Sequence, residues 1–354
     1  MKIPRIRVSG NAYDRGLSYG KQASELIIKN INNYHQLMQD RKNLSIEKSR
    51  MIALSYEDVI LACNSDYIDE IKGIAKGANV AYADVLLLNC RSEILFNTYS
   101  DKANECTAIT FLSSANSERT VYACQSWDFA SSQKDNVVLL EIVQPNAIMM
   151  IVEAGMIGGK GLNTSGLGLT LNALNTDGGS SKGVPLHVRM RKILDSFSLD
   201  VAYQQAVTFP IPCACNLIIS SKDGLALGIE LTSKNTAVYY PNNGIIFHTN
   251  HLLNTDMNVR DLNKTSGSTF VRYASAKYML EENKIWHLAM IKDIFKDHRG
   301  YPKSICVHAD ESLPTIKQLG TNHAIIMDLN KKIIYYAHGN PCQSNFIPLG
   351  FSDI

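Results

Sequence analysis

The sequence predicts an α+β fold, in which a helical N-terminal segment packs on a layered domain of strands and helices. Residues 13–98 carry apolar side chains at helical spacing, whereas from about residue 105 short runs of β-branched and apolar residues alternate with turn-forming residues. Helices interrupt these strands at about 186–208 and 268–297, an order that favours a layered α+β domain. Because no linker, low-complexity run or repeat is visible, we expect one domain over residues 1–354.

The N-terminal segment is predicted to consist of helices. Ser45 is the expected N-cap of one of them, because its hydroxyl can accept a free backbone N–H of the first turn. Residues 66–77 are predicted to form a helix that ends on Gly77, since glycine readily takes the left-handed conformation that closes many helices. Another helix is expected at about 83–97. The apolar stripe of the first helices consists of Leu17, Ala23, Leu26, Ile27, Ile31, Tyr34 and Met38.

The rest of the chain is predicted to be rich in strands. The turn-forming residues 113–118 separate runs at 106–112 and 120–124, which indicates an antiparallel hairpin. Pro348 is expected to stop the last strand, because proline cannot donate to a ladder of hydrogen bonds. The other expected strands are 136–143, 147–152, 167–174, 216–220, 225–231, 236–240, 323–329, 332–337 and 344–347.

Composition excludes several classes of function. The 354 residues include 35 Lys+Arg and 33 Asp+Glu, and this balance offers no footprint for nucleic acid or an anionic membrane. The longest unbroken apolar run, 147–152, is too short to cross a bilayer. The first ten residues lack the apolar centre of a signal peptide, so we expect a cytoplasmic location and eight reduced cysteines.

Familiar cofactor and metal motifs do not match. In 155–160 a phosphate loop would need glycine in place of Ala154 and Ser or Thr in place of Gly161. Cys213 and Cys215 form a C-x-C without a second pair at zinc spacing. Residues 306–308, Cys-Val-His, are a candidate metal pair, but a packed cysteine beside a surface histidine is the expected arrangement. The sequence therefore predicts no metal and no organic cofactor.

One constellation does suggest catalysis. Cys106 begins a predicted strand where the helical segment gives way to the sheet, and Asp128 ends the paired strand when that strand is extended to 119–128. Because the two strands are antiparallel, Asp128 is expected near the backbone nitrogen of Cys106. This placement suits an N-terminal nucleophile, whose free α-amine acts as the base for its own thiol.

A series of short motifs occurs in an order typical of one protein family. The chain resembles the cysteine N-terminal-nucleophile (Ntn) hydrolases grouped with acyl-CoA:6-aminopenicillanic acid acyltransferase (isopenicillin N acyltransferase) and, more distantly, the choloylglycine hydrolases. The resemblance implies a four-layer αββα fold and self-cleavage between Glu105 and Cys106, which would leave segments 1–105 and 106–354 as partners in a heterodimer. The motifs are Gly10…Arg15-Gly16…Gly20, Glu70–Gly77, Leu88–Glu93, Cys106-Thr107, Trp127-Asp128, Gly161–Gly168…Asn172, Thr249-Asn250-His251, Ser268…Arg272, Ser304–Cys306 and Gly339–Cys342.

The resemblance also implies roles for single residues. Cys106 would be the nucleophile, with Asp128 holding and polarising its amine. Asn250 would donate to the oxyanion and Asn172 would support it. The remaining implied positions are Ser268 and Arg272, for processing or substrate placement. Two departures from the family pattern are Glu105, where glycine commonly precedes the cut, and Gln125, where Arg or Asn is often found near the aspartate.

Together these observations predict an autoprocessing amide hydrolase or acyltransferase that forms an acyl-thioester on Cys106. Small N-acyl amides are the expected substrates, acyl-CoA is a candidate acyl donor, and a homo-oligomer is compatible with the sequence. One alternative is a thiol hydrolase that needs no cleavage and uses His248 or His251 as its base. Another is a catalytically silent relative used for binding or assembly, in which Glu105 blocks maturation.

Overall fold

The fold is a four-layer αββα sandwich, as predicted, in which two β sheets face each other and helices cover both outer sides. The computed structural model describes residues 3–96, 105–177, 183–265, 267–283 and 285–352. The helices are α1 (Ala12–Gln22), α2 (Ser24–Lys42), α3 (Ile46–Leu54), α4 (Glu57–Cys63), α5 (Ser65–Ala78), α6 (Tyr82–Asn89), α7 (Arg91–Phe96), α8 (Leu186–Leu194), α9 (Leu199–Val207), α10 (Ser268–Glu282) and α11 (Leu288–Ile294).

The described strands form one sheet of eight and one of six. The larger sheet has the order β1-β4-β5-β6-β7-β8-β9-β10 and the smaller has the order β11-β2-β3-β12-β13-β14. The strands are β1 (Arg5–Val8), β2 (Glu105–Phe111), β3 (Tyr122–Ala130), β4 (Val137–Ile142), β5 (Ile148–Glu153), β6 (Lys160–Asn163), β7 (Leu167–Ala173), β8 (Cys215–Ser221), β9 (Leu225–Leu231), β10 (Thr236–Tyr239), β11 (Ile245–His248), β12 (Leu319–Asp328), β13 (Ile333–His338) and β14 (Ile347–Gly350).

The layers are defined by which elements touch. β2 and β3 of the smaller sheet lie against β7 of the larger one, so the inner faces of both sheets are buried against each other. α8 and α9 cover the larger sheet, and α10 contacts β2 on the outer side of the smaller sheet. Nearly every position of β2, β3, β4, β5 and β8 is buried, as expected for strands inside such a sandwich.

The helical segment matches the prediction with two corrections. The helix predicted at about 83–97 is divided at Cys90 into α6 and α7, and residue 97 lies outside the described residues. Ser45 does cap α3, accepting the N–H of Lys48. The helix predicted to end on Gly77 continues to Ala78, and Asn79 takes the left-handed conformation instead, with φ of 56°. Gly73 and Gly77 serve a different purpose, because a Cβ on either would lie within 2.3 Å of a carbonyl oxygen of α1. These glycines let α1 and α5 pack at backbone contact.

The structure adds three strands to those predicted and changes the bounds of a fourth. The short strands β1, β6 and β11 were not predicted, because four residues carry too weak an alternation to stand out. The last strand, predicted at 344–347, instead begins at Ile347 and runs through Pro348 to Gly350, with Pro348 opposite Tyr335. Proline is tolerated there because β14 lies at the edge of its sheet.

The helical segment is anchored to the larger sheet and to α8, which covers that sheet, by buried charges as well as by the apolar core. Arg91 donates to Glu153 at 2.7 Å and Tyr34 donates to the other oxygen of the same carboxylate at 2.7 Å. Arg191 donates to Glu70 at 2.9 Å. Apolar side chains of α2, α5 and α6 belong to the same core cluster as those of both sheets. Within the described residues, no helix has the length and apolar character needed to cross a membrane.

Candidate active site

Cys106 lies on β2, the strand between β11 and β3, with its side chain almost fully buried. Its backbone N–H donates to Oδ1 of Asn250 at 2.8 Å. Burial raises the pKa of the Cys106 thiol to about 11, and the neighbouring Asp128 carboxyl acts in the same direction. Because only the thiolate is a strong nucleophile, a thiol in this state needs a base.

Asp128 is placed by the hairpin that the sequence predicts. β2 and β3 are antiparallel, with Glu105 opposite Asp128 and Cys106 opposite Trp127. The Asp128 carboxylate does not take the Cys106 N–H, which is bound to Asn250, but its backbone N–H reaches the Cys106 thiol.

The Asp128 carboxyl is held at one oxygen only. Thr321 donates to Oδ1 at 2.7 Å, whereas Oδ2 is buried and has no hydrogen-bond partner among the described residues. Burial raises the pKa of Asp128 to about 8, although the nearby Arg272 guanidinium opposes the rise. Asp128 is therefore a carboxyl whose charge state changes near neutral pH.

Asn250 follows β11 and has both ends of its amide engaged. Oδ1 accepts the Cys106 N–H and a guanidinium N–H of Arg272, the latter at 2.9 Å. Nδ2 donates to the backbone oxygen of Ala173 at 2.9 Å. Thr269 accepts the Asn250 N–H at 2.8 Å, which fixes the backbone of this residue beside the nucleophile.

The carbonyl of Cys106 is bound from two sides. Arg272, fully buried on α10, donates to this oxygen at 2.7 Å. Asn172, on β7 of the facing sheet, donates to it at 3.2 Å, and Asn216 in turn donates to the Asn172 side-chain oxygen at 3.2 Å. The backbone of Cys106 is thus held on both sides of its Cα, at the N–H of the peptide group shared with Glu105 and at the C=O of the peptide group shared with Thr107.

Glu105 has a partner of its own. Ser268, at the start of α10, donates to the Glu105 carboxylate at 3.0 Å, and Arg272 Nε lies 3.9 Å from the same oxygen. The Glu105 carboxylate, which precedes the predicted cut, therefore has a hydrogen-bond donor and a nearby positive charge. The structure brings every residue that the sequence nominated into one site: Glu105, Cys106, Asp128, Asn172, Asn250, Ser268 and Arg272.

A cavity opens beside Cys106, between β3, β5, β6, β7 and α8. Most of its wall is apolar, and the few polar groups include Gln125, whose side chain is bound to the backbone of Leu171 on β7. The apolar lining residues are Phe96, Trp127, Val137, Ile151, Val152, Met156, Leu171, Ala173, Leu174, Leu186, Met190 and Ala214. Such a wall suits the apolar part of a small ligand.

Two polar residues of this cavity were missed by sequence reasoning. Lys160 places its ammonium 4.5 Å from the centre of the Trp127 ring, and burial lowers its pKa to about 8. Neither ring nitrogen of His323 has a hydrogen-bond partner among the described residues, and burial keeps its pKa well below the ordinary value. The signal for Lys160 in the sequence is a lysine within a run of glycines, a pattern that suggests a phosphate loop and not a buried cation.

The two histidines beside Asn250 are engaged away from the thiol. His248 contacts Glu230 at 3.0 Å and the Thr249 carbonyl at 2.7 Å. His251 contacts Thr269 at 2.9 Å, and burial lowers its pKa to about 4. Within the described part of the chain neither ring hydrogen-bonds Cys106, so both serve to position the Asn250 loop.

Metal-ligating side chains gather at a different place. The sequence set aside Cys306 and His308 as an isolated pair, but the fold brings His298 and Cys342 to them. The pair could not be extended from the sequence, because Cys342 is more than thirty positions further along the chain.

Comparison with known proteins agrees with the motifs. The sequence model of the family described as "Acyl-coenzyme A:6-aminopenicillanic acid acyl-transferase" matches residues 114–343. The 40 kDa form of acyl-coenzyme A:6-aminopenicillanic-acid-acyltransferase from Emericella nidulans is 29% identical over 305 residues, which cover 85% of this chain and 84% of that protein.

Two solved structures are similar in part. A mutant conjugated bile acid hydrolase from Clostridium perfringens aligns with a TM-score of 0.43 and 11% identity, covering 70% of this chain and 97% of that one. Penicillin V acylase from Agrobacterium tumefaciens aligns with a TM-score of 0.41 and 12% identity, covering 66% of this chain and 83% of that one.

Proposed function

Since the chain belongs to the acyl-coenzyme A:6-aminopenicillanic acid acyltransferase family, we propose that it is an autoprocessing amide hydrolase or acyltransferase working through an acyl-thioester on Cys106. The observation that carries this proposal is that side chains bind both the backbone N–H and the backbone C=O of Cys106. Asn250 accepts its N–H, while Arg272 and Asn172 donate to its C=O. A strand residue in a sheet ordinarily gives both groups to neighbouring strands, so these side-chain hydrogen bonds support a special role for the backbone around Cys106.

Self-cleavage would begin with addition of the Cys106 Sγ to the carbonyl carbon of Glu105. The C–N bond then breaks as the nitrogen takes up the thiol proton, which leaves a thioester and a free α-amine. Water hydrolyses the thioester, its hydroxyl going to the Glu105 carbonyl and its proton to Sγ. The Ser268 hydrogen bond to Glu105 supports this step, because it fixes the residue that must be attacked.

The new α-amine would be the base for catalysis. Its ordinary pKa is about 7.7–8.0, so it can accept the thiol proton near neutral pH. Asp128 would pair with the ammonium, and this positive charge would favour the ionised carboxylate and lower its pKa. Asn250 would donate through Nδ2 to the tetrahedral oxyanion, with Asn172 as the second donor.

The cavity suggests the kind of substrate. Its apolar wall suits the acyl part of a small N-acyl amide, placed with its carbonyl carbon against the Cys106 thiol. Lys160 offers a cation within the same cavity for a polar or anionic group of the substrate. Acyl-CoA is a candidate acyl donor, because hydrolysis and acyl transfer share one thioester and differ only in the acceptor.

Intact-mass measurement of the purified protein tests this proposal. We expect two pieces of 105 and 249 residues from the wild-type chain and one full-length species from Cys106→Ala. Product release from a panel of N-acyl amino acids, penicillins and bile-salt-like amides then identifies the substrate. A single full-length species that still hydrolyses amides would overturn the N-terminal-nucleophile mechanism. A full-length, inactive chain would favour a silent relative blocked at Glu105.

A further inference from the structure

Four side chains with metal-binding atoms converge on the side of the smaller sheet that carries α10 and α11. His298 follows α11, Cys306 and His308 lie in the segment that leads to β12, and Cys342 lies between β13 and β14. Their ligand atoms all lie within 4.8 Å of one another. We refer to these four residues as the Cys2His2 cluster, and none of them lines the cavity beside Cys106.

Three of the distances within the cluster match those between the ligands of a tetrahedral zinc site, and a fourth, between the two imidazoles, is slightly shorter. The two Sγ atoms are 3.6 Å apart, and His308 Nε2 lies 3.7 Å from Cys306 Sγ and 3.4 Å from Cys342 Sγ. The two Nε2 atoms of His298 and His308 are 3.1 Å apart. Zinc bonds of about 2.3 Å to sulfur and about 2.0–2.1 Å to nitrogen, at tetrahedral angles, would place ligand atoms about 3.3–3.8 Å apart.

We propose that the Cys2His2 cluster binds one Zn²⁺ ion. Two thiolates and two neutral imidazoles are a closed ligand set of the structural type, which leaves no coordination position for a reacting water. On binding, Cys306 and Cys342 each release the thiol proton, so the two negative sulfurs balance the charge of the ion.

The surroundings of the cluster fit a metal site. Asn340 donates through Nδ2 to Cys306 Sγ at 3.4 Å and to the backbone oxygen of Val307 at 2.7 Å. A hydrogen bond to a ligating sulfur orients it and stabilises its charge. The backbone N–H of His308 donates to the Pro302 carbonyl at 2.9 Å, which fixes the backbone that carries this ligand before any ion binds. Cys306 is buried and His298 is exposed, so the ion has a route from solvent.

A bound ion would join the segment before β12 to the segment after β13. Between the two ligands of the first segment, the Val307 N–H donates to Thr321 at 2.8 Å, and Thr321 donates to Asp128 at 2.7 Å. The ion would therefore fix the backbone that orients the only described hydrogen-bond donor to the Asp128 carboxylate. This inference concerns a structural ion and does not depend on the proposed function.

Metal content is the direct test. The full chain, purified without a histidine tag and dialysed against metal-free buffer, is expected to retain one zinc per chain by mass spectrometry. His298→Ala, chosen because His298 is exposed and its loss should not unfold the chain, is expected to lose most of that zinc to a chelator that spares the wild type. His287→Ala is the matched control for an exposed histidine and should retain zinc. Asn340→Ala should weaken zinc binding by about 10- to 100-fold.

A second measurement does not need a variant. Cobalt added to the chelator-treated wild-type protein should give the visible bands of tetrahedral Co²⁺ and a thiolate-to-cobalt charge-transfer band. A chain without bound zinc that takes up neither metal would overturn the proposal. A thiol count lowered by two, as a disulfide between Cys306 and Cys342 would give, would also overturn it. The same holds if His298→Ala and Cys342→Ser retain as much zinc as the control variants His287→Ala and Cys63→Ser.

Discussion

The side-chain oxygen of Asn250 accepts the backbone N–H of Cys106 at 2.8 Å, across 144 positions of the chain. This contact means that the asparagine touches the nucleophilic residue before any cut is made. The same amide carries the donor proposed for the oxyanion, so its two ends serve two different stages. Substitutions at Asn250 can separate these stages.

Asn250→Ala is expected to lower kcat by about 10²–10³, because one preorganised donor to the oxyanion is lost. Asn250→Asp keeps an acceptor for the Cys106 nitrogen but has no donor, so it should process the chain and still show the loss in kcat. Steady-state kinetics on the matured protein check both, with KM expected to change little. Wild-type kcat in both variants would remove Asn250 from the oxyanion site.

Cys106→Ala is expected to leave the chain uncut, and Cys106→Ser to cut slowly, because a hydroxyl is a weaker nucleophile than a thiolate at the same base. Intact mass over time measures both. Cys63→Ala is a suitable control, because Cys63 is buried at the end of α4 and takes no part in the site. Normal cutting of Cys106→Ala would refute the assignment of the nucleophile.

Ser268→Ala is expected to slow self-cleavage by about tenfold or more, since a hydrogen bond to a charged group contributes about 1.5–3 kcal/mol. The bond that is lost runs to Glu105, which after cutting is the terminus of the other segment. The matured variant should therefore turn over substrate at close to the wild-type kcat. Time courses of cutting, followed by kinetics on the processed protein, separate the two effects; an equal loss in both would point to a role in catalysis.

The charge state of Asp128 should make the uncut chain less stable as the pH rises. Its folded pKa is raised to about 8 from 3.8, so between these values the folded state keeps a proton that the unfolded state has released. Stability then falls with pH across this window, by at most about 1.4 kcal/mol per pH unit from this group, and levels off above it.

Thermal unfolding of Cys106→Ala and of Cys106→Ala with Asp128→Asn, from pH 5 to 9, checks this dependence. The double variant should have the higher Tm at the alkaline end and a flatter profile. Parallel profiles would show that Asp128 does not titrate in this range. Using the uncut background keeps the α-amine, which would lower the pKa of Asp128, out of the measurement.

Lys160→Met is expected to slow alkylation of Cys106 by iodoacetamide in the matured chain. The ammonium of Lys160 lowers the pKa of the thiol, so its removal leaves less thiolate at a given pH. This shift to slower alkylation should be seen near pH 7, where the Lys160 ammonium is still charged, and should disappear well above pH 8. Lys192→Met, at a half-buried lysine against Phe209, is the control; an identical shift there would exclude a local effect of Lys160.

The parts of the site that depend on local pairing could be predicted from the sequence. The turn at 113–118 makes two neighbouring strands antiparallel, and this alone brings Asp128 beside the start of the first strand. Asn172, Asn250 and Arg272 lie on the facing sheet, on the loop after β11 and on α10. Their meeting depends on how the layers stack, so only the family resemblance connected them in advance.

Other features left too little signal in the sequence. Lys160 sits on a strand of four residues among glycines, a context typical of a loop. The Cys2His2 cluster joins segments on both sides of a hairpin, so its spacing follows no short motif. The sequence predicts that Gly77 ends α5 in the left-handed conformation, whereas this glycine lies within the helix and is needed for the close approach of α1.

The buried ion pairs between the helical segment and the rest of the fold have a consequence for folding. Arg91 with Glu153 and Arg191 with Glu70 each join residues on opposite sides of the proposed cut. If the bond at residue 105 is broken, these contacts and the shared core hold the pieces together, but covalent linkage no longer keeps them near each other once they unfold. Refolding would then become bimolecular, so recovery after denaturation should depend on protein concentration only in the matured enzyme.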